Sequence, residues 1–193
     1  MAVAVKEKTD ERRERLLRLL TYEVVDGKPI YYRGYKEVLE GKKHPEEIMG
    51  SSALQWYLLR SLVKRLFHLE DKGYILAFGE VGLHISKGKN RSLDIALFRA
   101  GDVKPNTRYS SYPPVLVVEI DVKAHVEDVL EYMLNKVEEL LNFGTDKVVW
   151  IFTKPKKVFV FEKGKRPTIY DWDEEVELLE GVKVRLSDFL KQP

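Results

Sequence analysis

Residues 115–123 read VLVVEIDVK, four apolar residues followed by an acid, an isoleucine, a second acid, a valine and a lysine. No other stretch constrains the fold as much, because a run this apolar belongs inside a sheet and yet ends in charge. Side chains alternate between the faces of a strand, so Val115, Val117, Glu119, Asp121 and Lys123 would share one face. Leu116, Val118, Ile120 and Val122 would share the other. The charged face therefore begins as a buried one. Two more apolar segments are interrupted in the same way, by Glu80 in ILAFGEVGLHI and by Asp94 in SLDIALF. A buried carboxylate without a partner is costly, so each needs an ion pair, exposure or a cation. A single acid of this kind is as readily part of a structural ion pair, but three in core-type strands point to a site. If the strands of Asp94 and Glu119 are neighbours, their backbones lie roughly 5 Å apart, close enough for both carboxylates to grip one hard cation.

The remaining segments set the architecture. A highly charged helix is expected at about 9–20, and TYEVVDGKPIYY after it has the form of strand, Asp-Gly turn, strand. In SSALQWYLLRSLVKRLFHLE the apolar positions Leu54, Tyr57, Leu58, Leu62 and Leu66 recur at helical spacing, with Ser51 or Ser52 as cap. Extended segments follow at 73–85, 92–98 and 114–120, the first two joined by the turn KGKNR. Val126, Val129, Leu130, Met133, Val137, Leu140 and Leu141 mark one face of a helix that Gly144 closes. DKVVWIF and KKVFVFE then supply two strands across a Lys-Pro turn. This order predicts an α/β fold with a mixed central β-sheet flanked by helices.

With 193 residues, 44% of them hydrophobic, a single domain over 1–193 is expected, carrying a C-terminal extension at about 164–193. The absence of cysteine excludes disulfides, thiolate zinc sites and cysteine nucleophiles, and a net charge of +2 is too mild to imply nucleic-acid binding by itself. Nothing resembles a signal peptide or an apolar span, which predicts a soluble cytoplasmic protein without membrane contact. Abundant Lys and Glu beside only two glutamines resemble a thermophile's composition. The histidines lack metal-type spacing, although His125 follows the Glu119 strand closely enough to be an accessory residue.

In YEVVDGK at 22–28, RSLDIALF at 91–98, PPVLVVEI at 113–120 and KVEELLNFGTDKVVWIF at 136–152, the chain resembles the PD-(D/E)XK restriction-endonuclease-like superfamily. Within it, the closer resemblance is to a family of restriction-endonuclease-like proteins of mostly unknown role, over roughly residues 20–163. The resemblance implies a restriction-endonuclease-like core and a magnesium-dependent phosphodiesterase in which Asp94 and Glu119 hold the metal. Three positions depart from the pattern: Leu93 replaces the usual proline, Asp121 stands where the superfamily lysine falls, and Leu140 replaces a tyrosine. Lys123, roughly 13 Å beyond Glu119 along an extended chain, is expected to lie too far away to serve the same phosphate. Lys136 matches the lysine that this family carries in the helix. At 100° per residue it falls about 20° outside the apolar arc, on the helix rim.

On this reading the chain would be an endonuclease hydrolysing DNA phosphodiester bonds with Mg2+, Mn2+ being a substitute. Asp94 and Glu119 would bind the metal with the Ile120 carbonyl and waters, Glu80 would contribute directly or through water, and Lys136 would steady the attacking water or the phosphate. Lys87, Lys89 and Arg91 would contact the DNA backbone, with Asp121, Lys123 and His125 as accessories. A homodimer is plausible because cutting two strands favours paired sites. The competing class is a non-catalytic module that keeps the nuclease fold and binds nucleic acid or protein, which Asp121 at the lysine position favours.

Overall fold

The computed structural model describes residues 2–191, the side chains of 2–9 aside. It is a mixed α/β structure, a central, mostly antiparallel sheet flanked by helices. The first helix, α1 (Ala2–Leu19), starts earlier than the sequence pattern suggests and leads into the hairpin β1 (Thr21–Val25) and β2 (Lys28–Tyr31). Asp26 and Gly27 both have positive φ (51° and 74°), the two-residue turn whose twist matches that of the strands it joins. Short helices α2 (Tyr35–Leu39) and α3 (Glu46–Met49) precede α4 (Ala53–Leu66). Of the two candidate caps, Ser52 takes the role: its side chain accepts from the Gln55 backbone N–H, and the Gln55 side chain accepts from the Ser52 N–H.

Strands β3 (Tyr74–Ser86), β4 (Lys89–Arg99) and β5 (Leu116–Ile120) follow, then α5 (Val129–Phe143), β6 (Lys147–Phe152), β7 (Lys157–Glu162) and β8 (Thr168–Asp171). Helix α5 begins three residues later than the apolar pattern suggests because Asp128 caps it, accepting from the Glu131 N–H at 2.9 Å. The sheet runs β2-β1-β4-β5-β6-β7-β8, with β3 on β4. Among the described residues, β5 and β6 pair in parallel, with α5 as the crossover between them, while β1–β2, β1–β4, β3–β4, β4–β5, β6–β7 and β7–β8 are antiparallel.

One face of the sheet packs on α4 through Leu58, Leu62 and Leu66, and the other on α5 through Met133, Val137 and Leu140. The strands β9 (Val176–Leu179) and β10 (Val182–Val184) and helix α6 (Leu186–Phe189) are no loose extension. Trp172, Val176, Leu178, Val184 and Leu186 fill the α4-side core. Among the described residues no helix is long and apolar enough to cross a membrane.

One topological detail positions everything below. Along a single edge β4 changes partner: Asn90 pairs with Val24 of β1, whereas Ile95–Leu97 pair with β5. Between them, residues 91–94 have no strand ladder on that edge. Their backbone groups still need partners.

Candidate active site

Charged side chains from four elements fill this gap. Glu23 of β1 reaches into it and accepts from the Ser92 backbone N–H at 2.9 Å, in place of the missing strand. The Lys136 amine, from α5, donates to the Ser92 carbonyl at 2.7 Å and to Glu23 Oε1 at 2.9 Å. Asp94 Oδ2 accepts from the Ile120 N–H at 2.8 Å, the bond that another residue pair of the β4–β5 ladder would have made. This contact sets Asp94 beside the residue that follows Glu119, so the two acids are neighbours.

Lys136 is fully buried, not on a helix rim. The expectation from helical angles fails because Tyr22 of β1, Trp150 of β6 and Tyr132 of α5 itself surround its amine at 5.7–6.0 Å with a polarisable lining. Burial alone would depress this ammonium, but the charges of Glu119 and Glu23 outweigh it and hold the group well above its ordinary value. Two of its three donors go to Glu23 and the Ser92 carbonyl, and Glu119 Oε1 lies 3.4 Å from the amine. That last contact is an ion pair without hydrogen-bond geometry, so Glu119 Oε1 is buried with no donor. Burial first, then the Asp94 and Glu23 charges, push the Glu119 carboxyl up to about 8 despite Lys136.

Glu23 is the residue that sequence reasoning missed. Burial would raise its carboxyl, but Lys136 and Arg91 win and lower it. It also accepts from Arg91 Nη1 and from the Tyr132 hydroxyl, both at 2.8 Å. The signal was available: Glu23 interrupts the apolar strand TYEVV just as Glu80 and Asp94 interrupt theirs.

Several expected roles need correction. Arg91 does not lie in a solvated basic turn. It is in β4, buried, and bound on both sides by Glu23 and Glu139, so no phosphate can reach it. Lys89 also belongs to β4 and pairs with Asp26 and Glu139, each at 3.2 Å; only Lys87 remains in the turn, exposed. Asp121 does not share Glu119's face. At φ 60° it turns the chain, and its carboxylate accepts from the backbone N–H and the hydroxyl of Thr153 at 2.8 and 2.5 Å.

That turn also overturns the distance expected for Lys123. Beyond Asp121 the chain runs back along the end of β2, where the Arg33 N–H donates to the Lys123 carbonyl and Ala124 bridges Tyr32. The Lys123 amine arrives 3.3 Å from Asp94 Oδ1 and 3.5 Å from Glu80. Glu80 reaches it from a bulge in β3, where Gly79 and Glu80 have φ of 84° and 62°, and also accepts from the Tyr32 hydroxyl. Lys123 lines a cleft of about 870 Å³ together with Arg33, Lys36, Gln55, His125 and Lys154. It thus joins this cleft to Asp94. His125 faces the cleft too, with its ring 5.3 Å from that of Tyr35. The Ile120 carbonyl, expected to bind metal, accepts from Gln55 Nε2 at 3.1 Å and retains a second lone pair.

Carboxylate oxygens, a carbonyl and an unpaired buried oxygen suit a hard divalent cation. Among the described residues no three acids or histidines are grouped as metal ligands, so a cation held here would keep waters on its remaining positions.

The fold is one found in a nuclease-like protein. A solved structure from Anabaena variabilis ATCC 29413, described as a "putative nuclease belonging to DUF820", is similar over 86% of this chain and 88% of its own, with TM-score 0.64 and 13% sequence identity. No protein-family model matches the chain, and no curated protein does.

Proposed function

We propose that this protein is a metal-dependent nuclease hydrolysing phosphodiester bonds of DNA, within the PD-(D/E)XK superfamily that its motifs resemble. The observation that carries the reading is Glu119 Oε1, a buried oxygen without a donor beside Asp94, in a fold shared with the Anabaena protein. A magnesium or manganese ion held by Asp94 and Glu119, with the Ile120 carbonyl, would acidify a water and neutralise charge on the phosphate.

The chain's own groups divide the remaining work. Lys136, sealed from solvent, cannot touch substrate; it positions Glu119 and balances its charge. Asp94 is oriented by the Ile120 N–H, which leaves Oδ1 toward Lys123. Lys123 takes the role that the sequence pattern offered to Lys136. Its amine lines the cleft and also contacts Asp94, so a phosphate held at the metal lies within its reach.

One observation favours the non-catalytic alternative: the Lys123 amine pairs with both Asp94 and Glu80, occupying carboxylate oxygens that a cation would use. Titration with Mn2+ and cleavage assays on single-stranded, duplex and branched DNA separate the two readings. The nuclease should bind Mn2+ and cleave in its presence, lose both with Glu119→Gln, and with Lys123→Met keep metal binding while cleaving about 10²-fold more slowly. Absence of both Mn2+ binding and cleavage in the wild type would leave the binding module.

A further inference from the structure

Helix α4 carries charge of one sign. Its residues include Arg60, Lys64 and Arg65 and no acid, and His68 follows in the next turn. Positions 60, 64 and 68 are spaced by four and so line one face over about 12 Å. With Arg65, and with Lys183 of β10 opposite, they wall a groove of about 640 Å³. Arg60, Lys64, Arg65 and His68 are all exposed, and among the described residues none of the four forms an ion pair. The acids nearby are engaged elsewhere: Glu180 with Lys72 and Tyr74, Glu175 with Lys183, and Asp188 with Lys191. Cations gathered in this way repel one another unless an anion joins them.

Aromatic faces accompany the charge. Trp56 and Phe67 are 52% and 58% exposed, Tyr57 lines the groove, and the Trp56 and Tyr57 rings lie 5.9 Å apart. Cations interleaved with aromatics are the composition of a nucleic-acid track, where phosphates meet the first and bases stack on the second. The helix that walls the groove also reaches the candidate active site, because Gln55 in its first turn donates to the Ile120 carbonyl.

We infer that the groove between α4 and β10 binds the sugar-phosphate backbone of the DNA strand outside the cleaved bond, with phosphates on Arg60, Lys64, Arg65 and His68. The identity of the ligand rests on the nuclease reading above. A concave, basic groove running away from the site suits a polymer strand better than a flat lipid surface, which would favour an apolar face flanked by cations.

The test is binding of the full chain to labelled single-stranded and duplex DNA between about 50 and 200 mM salt in EDTA, so that cleavage plays no part. The triple variant Arg60→Glu, Lys64→Glu, Arg65→Glu, checked for an unchanged melting midpoint, should bind single strands at least about tenfold more weakly. Its plot of log affinity against log salt should be shallower by about 2, since each lost phosphate contact removes roughly 0.7. If the glutamate triple does not fold, the corresponding alanine triple takes its place. Equal affinity and slope in wild type and variant would overturn the groove and leave the nuclease reading to its own metal and cleavage tests. A wild type that binds no DNA but sediments with phosphatidylserine vesicles would overturn it in favour of a membrane surface.

Discussion

At the scale of single residues, the gap in the sheet is governed by charges that each depend on the others. Glu119 and Glu23 are displaced in opposite directions, and so their effects on stability against pH are opposite. The folded protein holds the Glu119 proton more tightly than the unfolded chain, with a carboxyl near 8 against an ordinary 4.5. On its account stability falls as pH rises between those values. Glu119→Gln should therefore stabilise the protein more at about pH 8 than at about pH 5, by up to a few kcal/mol, as read from denaturant midpoints at the two pH values. Glu23, held below the usual carboxylate range by Lys136 and Arg91, contributes stability above that range and loses it in acid. Lys136→Met removes the cation that Glu23 and Glu119 share and strands both acids in the interior. A loss of about 3–5 kcal/mol in urea unfolding is expected, and a variant that unfolds no more easily than the wild type would show that the pair is not buried as described.

At the scale of elements, the site depends on how helices and strands end. Gly144 terminates α5 at φ 125°, and a Cβ there would sit 3.1 Å from Pro113 Cγ. Gly144→Ala should cost about 1–3 kcal/mol by thermal melting, because both the backbone and the proline must give. At the start of α4, Ser52→Ala removes one half of the capping box and should cost about 1 kcal/mol in the same measurement. Its wider consequence passes through Gln55, which serves the cap with Oε1 and the Ile120 carbonyl with Nε2. Fraying of that turn would loosen the backbone between the two acids and the cleft.

At the scale of the whole molecule, the C-terminal strands share a core with α4, so removing residues 164–193 would expose Leu58, Leu62 and Leu66 together. A chain ending at residue 163 should give no cooperative melting transition in calorimetry. Intact, the protein is expected to melt above about 65 °C if its Lys- and Glu-rich composition reflects growth at high temperature.

Local order was legible in the residues themselves. Apolar alternation, the Asp26-Gly27 turn, a serine cap at 51 or 52 and Gly144 placed the strands and helices, because each is settled by neighbours within a few positions. Of the three acids that interrupt apolar strands, Asp94 and Glu119 marked where buried charge lies and Glu80 proved exposed, while a fourth, Glu23, carried the same mark and is buried. What spacing could not reveal was the change of partner along β4, which leaves residues 91–94 without a ladder and draws Glu23, Asp94 and Lys136 into the opening. Nor could it reveal that positive φ at Asp121 ends the alternation and brings Lys123 back to Asp94. A period of two assumes that a strand continues straight. Only the tertiary structure decides where it stops, and with that which lysine is sealed in the core and which one faces the cleft.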